Sequence, residues 1–239
     1  MSSALYRKYR PSDFSEVVGQ EHVTTTLKNA IASGQVAHAY LFAGPRGTGK
    51  TTIARILAKA VNCEKAASRK GKPCRECEVC TDIESGRVLD IIEIDAASHR
   101  GIDEIRELRE GMRLSPTRLK YKVYIIDEAH QLTKEAFNAL LKTLEEPPEH
   151  AMFILATTAA DKMPATILSR VQRFDFKKFT VEQIMGKLVK ILKDEKAQAD
   201  EDALRMIAYA AEGGLRDAES MLSQALSHAS GRVTADALE

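Results

Sequence analysis

Three groups of side chains in this sequence are spaced for chemistry. The run Gly44-Pro45-Arg46-Gly47-Thr48-Gly49-Lys50-Thr51 fits G-x-x-x-x-G-K-T and lies between an apolar run and a helical pattern. In such a loop successive backbone N–H groups turn inward on phosphate oxygens, and glycine permits both the dihedral angles and the close approach. Lys50 then reaches the β- and γ-phosphates of a nucleotide, the Thr51 hydroxyl holds Mg²⁺, and the helix N-terminus adds favourable potential. Nucleotide binding is the first expectation.

The second group ends an apolar run: Val123-Tyr124-Ile125-Ile126 is followed by Asp127 and Glu128. At the carboxyl end of a parallel strand both carboxylates face the crevice of the phosphate loop. Asp127 is expected to bind Mg²⁺ through water. Glu128 is expected to orient and polarise the attacking water, a separate task that needs a second carboxylate. A strand-terminal Asp-Glu is also ordinary surface charge, but the upstream loop favours hydrolysis. The string Asp127-Glu128-Ala129-His130 spells a helicase box as well. Helicases of that kind use two tandem motor domains, and this length holds one.

The third group is Cys63, Cys74, Cys77 and Cys80, spaced C-x10-C-x2-C-x2-C. Four thiolates complete a closed tetrahedral zinc shell with no open position, so the expected role is structural. A small polar insertion lacks the apolar area to fold alone, and metal binding would supply its stability. An iron–sulfur cluster is the competing occupant, although the usual fourth Cys followed by Pro is absent.

These groups need a scaffold. Five apolar runs, Ala39–Ala43, Asp90–Asp95, Lys122–Ile126, Met152–Thr157 and Arg173–Phe176, are continuous rather than alternating, as buried strands are. Helical patterns separate them, such as Ile53, Ile56, Leu57 and Ala60, or Phe137, Leu140, Leu141 and Leu144. The alternation predicts an α/β domain over residues 1–177 with a five-stranded parallel sheet, interrupted by the cysteine insertion at about 63–86. Past Phe179 nothing resembles a strand. Thr180 and Gln183 form a T-x-x-Q capping box, and three helices follow, the later two over Asp202–Ala211 and Leu215–Ala229. Residues 178–239 are therefore expected to be a small helical domain. A helix-like pattern over Thr234–Glu239 runs to the last residue, so the sequence is expected to be part of a longer chain.

Two arginines and a threonine extend the first site. Thr158 follows the fourth run, where a polar side chain at a strand tip can position the lytic water. Arg170 lies just before the last strand and suits either a neighbouring subunit's γ-phosphate or a surface ion pair. At 100° per residue Ala218, Met221, Leu222, Ala225 and Leu226 share one helix face and Arg216 points nearly opposite. A cation in a first helical turn is unfavourable, which hints at an anion partner.

Composition narrows the class. With 35 basic against 34 acidic residues the net charge is +1, too balanced for a free-standing non-specific DNA coat. No apolar run approaches the ~18 residues of a membrane span, and Met1–Pro11 lacks a secretory h-region. A cytoplasmic location is expected, where cysteines serve metals more often than disulfides.

The phosphate loop, the Asp-Glu strand, Ser169-Arg170 and Gly213-Gly214-Leu215-Arg216-Asp217-Ala218 resemble AAA+ ATPases of the clamp-loader group. The cysteine insertion, Asp95-Ala96-Ala97-Ser98 and Leu140-Leu141-Lys142-Thr143-Leu144-Glu145-Glu146-Pro147-Pro148 are similar, more narrowly, to the gamma/tau family of bacterial DNA polymerase III subunits. The resemblance implies a P-loop AAA+ domain followed by a helical lid. It implies that Lys50 and Thr51 hold phosphate and Mg²⁺, that Asp127 and Glu128 are the Walker B pair, and that Thr158 is the first sensor. Arg170 would be the arginine finger acting in trans and Arg216 the second sensor. Tyr9-Arg10-Pro11 with Val18-Gly19 would line the adenine pocket. Many relatives carry Cys after the Ser-Arg, where this chain has Val171; the guanidinium and not the thiol touches phosphate, so the finger survives the change.

Family members work as pentamers held by a C-terminal collar, use ATP binding to open the ring-shaped sliding clamp, and release it on primed DNA by hydrolysis. The resemblance thus implies other clamp-loader subunits, the clamp and primed DNA as partners, and Arg100 before the Ile102–Leu108 helix as a DNA contact; from the residues alone Arg100 is a solvated loop charge. Two other readings stay open: a nucleotide-binding scaffold with little turnover of its own, and a different AAA+ DNA motor such as a branch-migration helicase.

Overall fold

A computed structural model describes residues 4–99, 101–228 and 232–235. Arg100 and most of Thr234–Glu239, which carry two of the expectations above, lie outside the described residues. In chain order the elements are α1 (Leu5–Lys8), α2 (Glu21–Ser33), β1 (Ala39–Ala43), α3 (Lys50–Asn62), α4 (Glu78–Glu84), β2 (Ile91–Asp95), α5 (Ile102–Met112) and β3 (Lys122–Asp127). They continue with α6 (Lys134–Glu145), β4 (Ala151–Thr157), α7 (Ala165–Leu168), β5 (Gln172–Asp175), α8 (Val181–Glu195), β6 (Gln198–Ala199), α9 (Glu201–Ala210), α10 (Leu215–His228) and β7 (Arg232–Val233).

The chain divides into two compact units. One comprises Ser12–Gly44 and Lys50–Phe176; the other takes Pro45–Gly49 and the described residues of Met1–Pro11 and Lys177–Glu239. Ala4–Pro11 thus group with the helices, not with the sheet.

The larger unit is built on a parallel sheet in the order β2-β3-β4-β1-β5. Successive side chains leave a strand on opposite faces, and both faces are covered. Val123, Ile125, Met152, Ile154, Tyr40 and Phe42 join α2 and α3 in one core. Tyr124, Ile126, Phe153, Leu155 and Leu41 join α5 and α6 in the other. This two-sided burial is what turns the central runs β1, β3 and β4 into near-continuous apolar sequence. The two edges depart from the expectation of five buried strands. On β2 Glu93 pairs with Arg55 at 2.7 Å, and on β5 only Phe174 is buried. An edge strand has one neighbour, so half its surroundings is solvent.

The smaller unit buries Ile184, Leu188, Ile191 and Leu192 of α8 against Leu204 and Ile207 of α9 and Ala218 and Leu222 of α10. Its capping box forms as the sequence predicts: the Gln183 backbone N–H donates to Thr180 Oγ1, and the Thr180 backbone N–H to Gln183 Oε1. Leu5 of α1 is 8% exposed and belongs to this core. Two short strands correct the expectation of none: β6 and β7 pair in parallel, Gln198 with Arg232 and Ala199 with Val233. Two residues give too short a run for any period to register.

Candidate functional site

β1 ends at Ala43, in register with Thr157 of β4, and the phosphate loop begins at the next residue. Gly44 has φ +153°, and a Cβ there would lie 2.5 Å from the Phe176 carbonyl oxygen, so no other residue fits. Gly47 has φ +75°, and its Cβ would come within 2.9 Å of Gly214 Cα. In the same unit the Leu215 N–H donates to the Gly47 carbonyl at 3.1 Å, and Thr48 Oγ1 donates to the Pro45 carbonyl at 2.8 Å. Lys50 opens α3 and is 5% exposed; Nζ donates to the Gly44 carbonyl at 2.8 Å. Burial lowers its pKa while the carboxylates of Glu128 and Asp127 oppose the shift. An ammonium held this way, dry and facing two carboxylates, is one that a phosphate can take over.

The acid pair divides its tasks by geometry. Thr51 Oγ1 donates to Asp127 Oδ2 at 2.7 Å, bringing together the two oxygens expected to serve Mg²⁺. Hard oxygen donors of this kind, one hydroxyl and one carboxylate, suit Mg²⁺, which keeps waters for its remaining positions. Glu128 leaves the strand in the left-handed region, φ 48° and ψ 42°, a conformation uncommon for a residue with a Cβ. The two carboxylates have different hydroxyl partners. Thr158 Oγ1 donates to Glu128 Oε2 at 2.8 Å. The strand tip of β4 therefore grips the carboxylate at the tip of β3.

Residues to which the sequence reading gave no role complete this pair. His130 Nδ1 lies 2.9 Å from Thr157 Oγ1 and 3.5 Å from Glu128 Oε2, with its side chain 8% exposed. Thr157 Oγ1 in turn accepts from the Ala159 N–H at 3.0 Å. The string Asp-Glu-Ala-His did contain the imidazole. Only the short helical turn Ala129–Gln131 brings it back over the strand ends.

Arg170 lies behind an exposed ion pair in this unit. Its Nη2 is 2.7 Å from Glu145 Oε1, and Nη1 donates to the Thr166 carbonyl at 2.6 Å. Of the two alternatives read from sequence, the structure displays the ion pair. Arg216 does point off the core face of α10, and its guanidinium sits 4.9 Å from the Tyr6 ring centroid. Tyr9 and Arg10 belong to the helical unit and Val18 and Gly19 to the sheet unit. The Tyr9 hydroxyl donates to Glu195 Oε1 at 2.6 Å, and burial together with that carboxylate pushes its pKa up to about 12.

The cysteines do converge. The four Sγ atoms all lie within 4.8 Å of one another, and Cys74 and Cys80 are 3.9 Å apart. A tetrahedral site with Zn–S bonds of 2.3 Å has S–S edges of about 3.8 Å. Arg75, at φ +65°, makes the tight turn between Cys74 and Cys77, so that the Cys77 N–H donates to Cys74 Sγ at 3.2 Å. The Cys74 N–H donates to Cys63 Sγ at the same distance, 3.2 Å. Such N–H···S contacts favour thiolates. Burial prevails at Cys63 and Cys80 and pushes both thiols up, whereas at Cys74 the N–H groups of Glu76 and Cys77 outweigh it and bring the pKa down to about 6. The thiols are no separate polar module: all four are buried in the core formed by α2, α3 and one sheet face.

Around the cluster Lys59 of α3 pairs with Glu84 at 2.6 Å, Arg75 with Glu16 at 3.0 Å, and Arg118 with Glu78 and Asp82 of α4.

A phosphate loop after β1, an acid pair ending β3, a polar tip on β4 and the order 2-3-4-1-5 define a P-loop nucleotide-binding fold of the AAA+ class. The family described as DNA polymerase III, delta subunit, matches residues 19–180, and that described as DNA polymerase III clamp loader subunit, ATPase lid domain, matches residues 183–231. The chain belongs to this family of DNA polymerase III clamp-loader subunits.

Over 224 residues it is 58% identical to DNA polymerase III subunit tau of Bacillus subtilis (strain 168), covering 94% of this chain and 39% of that protein. Against subunit tau of Escherichia coli (strain K12) it is 50% identical over 234 residues, 98% of this chain and 36% of that one. The chain thus spans less than half the length of these relatives. Among solved structures the Thermotoga maritima RuvB Holliday junction branch migration motor has a similar fold, with TM-score 0.70 over 96% of this chain and 70% of that one, at 21% identity. That likeness concerns the fold alone.

Proposed function

We propose that this chain is an ATP-hydrolysing motor subunit of a bacterial clamp loader, in which ATP binding opens the sliding clamp for loading on primed DNA and hydrolysis releases it. The observation that carries the reading is the double hydroxyl–carboxylate pairing at the strand ends: Thr51 with Asp127 and Thr158 with Glu128. It keeps the two acids on different tasks.

Thr51 and Asp127 hold Mg²⁺, which when bound neutralises charge on the phosphate oxygens. Lys50 meets the same phosphates. Glu128 orients the attacking water and accepts its proton, and Thr158 holds the carboxylate in the orientation that this requires. Arg170 acts in trans on a neighbouring subunit's γ-phosphate, exchanging Glu145 for the stronger anion. Arg216 is the second sensor. Tyr9-Arg10-Pro11 and Val18-Gly19 serve the adenine, and Gly44 to Thr51 the phosphates. The catalytic domain is assigned to residues 1–177 and the lid to 178–239, with Ala4–Pro11 packing among the lid helices. Cys63, Cys74, Cys77 and Cys80 bind one structural Zn²⁺, supported by the sulfur spacing and the N–H···S contacts. The protein works in the cytoplasm with other loader subunits; among the described residues no helix is long and apolar enough to cross a membrane.

The deciding experiment is ATP turnover of the reconstituted complex, with and without clamp and primed DNA, for native protein, Glu128→Gln and Arg170→Ala. Stimulation by clamp and DNA, lost in both variants, is expected. Equal, near-zero turnover in all three proteins would favour the scaffold reading.

A further inference from the structure

Glu219 lies on α10 in the interior of the helical unit and is only 6% exposed. Its nearest charged partner is Lys187 of α8, with Nζ 3.9 Å from Glu219 Oε1 and a side chain 12% exposed. A buried Lys–Glu pair is a poor way to stabilise a small helical core, because desolvating both charges offsets most of their attraction, and well-packed apolar residues do as well or better. Stability alone does not explain the pair.

The ammonium shows what the pair holds. Lys187 Nζ donates to the main-chain carbonyl of Tyr9 at 3.0 Å, closer than its distance to Glu219. About two helical turns further along α8, Glu195 accepts from the Tyr9 hydroxyl at 2.6 Å and from Lys8 Nζ at 2.6 Å. Tyr9 is therefore fixed at both ends by one helix, its backbone by Lys187 and its ring by Glu195. The segment is held on its N-terminal side as well, by Leu5 in the helical core and by the Arg216 guanidinium over Tyr6. All of these groups lie in the same unit. A bond to a carbonyl is indifferent to the side chain at position 9; it sets the path of the chain through Tyr9-Arg10-Pro11. Burial pushes the Glu219 carboxyl up to about 7, and the charges of Lys187 and Arg10 oppose that shift, so at pH 8 the segment and its anchor are electrostatically tied.

We propose that Lys187, backed by Glu219, is a positioning residue: it fixes the Tyr9 carbonyl and thereby sets the segment Tyr9–Pro11 for contact with the adenine base. The inference rests on the nucleotide-site reading above and adds residues that touch neither base nor phosphate. It makes a distinct claim about ligands: the pair matters for the base and not for the phosphates.

The test titrates Mg·ATP and Mg·tripolyphosphate calorimetrically into the 239-residue chain at pH 8. Lys187→Met is expected to weaken ATP about tenfold and leave tripolyphosphate within about twofold, with Lys187→Arg recovering most of the loss, since guanidinium can still donate to the carbonyl. Should Lys187→Met fail to fold, Glu219→Gln decides, with a smaller ATP-selective loss of about threefold expected. Unchanged ATP affinity in a folded Lys187→Met, or equal weakening of both ligands, overturns the proposal. Lys50→Ala is the independent control. If it bound both ligands as native protein does, the nucleotide-site reading would fall, whatever Lys187 does.

Discussion

Thr158 and Glu128 sit at the tips of adjacent strands, and the threonine hydroxyl donates to the glutamate carboxylate at 2.8 Å. That bond ties a residue expected to sense the γ-phosphate to the residue expected to activate water. Glu128 leaves the strand in the left-handed region, and His130 Nδ1 lies 3.5 Å from the same oxygen, so two side chains flank one carboxylate oxygen.

Replacing Glu128 by Gln keeps the shape and removes the proposed base. Turnover in the reconstituted complex is expected to fall at least a hundredfold, with Mg·ATP affinity changed by less than about threefold. Thr158→Val leaves the Glu128 carboxylate but frees its orientation, and a loss of about tenfold in kcat is expected. Single-turnover hydrolysis measured beside equilibrium binding separates the two effects; a Thr158→Val protein with native kcat contradicts the linkage.

Lys50→Ala removes the one buried ammonium of the loop. Mg·ATP affinity is expected to drop by a hundredfold or more, with folding intact, because the Gly44 carbonyl that it leaves can recruit water. Calorimetric titration of the purified chain provides the check, and undiminished uptake refutes the phosphate-loop assignment.

Zinc content is the third expectation. Elemental analysis should find about one Zn²⁺ per chain, and Cys80→Ser, at the most buried of the four thiols, should lose it and lower the thermal midpoint by 5 °C or more. Because the cluster shares its core with α3, the helix that opens with Lys50, the metal-free protein is also expected to bind ATP more weakly. A zinc-free protein with native stability would show that four thiols suffice.

Asp90 offers a pH signature. It is 1% exposed, and although burial opposes ionisation, its carboxylate accepts backbone N–H bonds from Thr117, Arg118 and Leu119 that hold its pKa below the usual carboxylate value. A depressed folded-state pKa means that the folded protein resists protonation more than the unfolded chain. Its stabilisation is complete above pH of about 4 and is lost as pH falls through the folded-state value. Asp90→Asn should therefore cost about 1–3 kcal/mol at pH 7 and flatten the acid limb of a urea-unfolding series. Parallel acid limbs for native and variant proteins would exclude this role.

The chemistry-bearing motifs were legible because each is local. The loop Gly44–Thr51, the acid pair and the C-x2-C-x2-C run place their functional atoms within a few residues, and the central strands announce themselves by being apolar throughout. The edge strands were over-read as buried, since a run such as Arg173–Phe176 carries the right residues without saying how many neighbours it will have. The strands β6 and β7 were too short to give a period.

Sequence by itself determined the order of the loop, the acid pair and the strands, and which four thiols converge, since these follow from strand-loop-helix spacing along the chain. Tertiary structure alone decided which partners those groups have. Thr158 reaches Glu128 across 30 positions, and Lys187 reaches the Tyr9 carbonyl across 178. The burial of Glu219 on a helix whose apolar face looks complete without it was likewise invisible. Desolvation and hydrogen-bond geometry depend on distances in space, and a residue list records only distance along the chain.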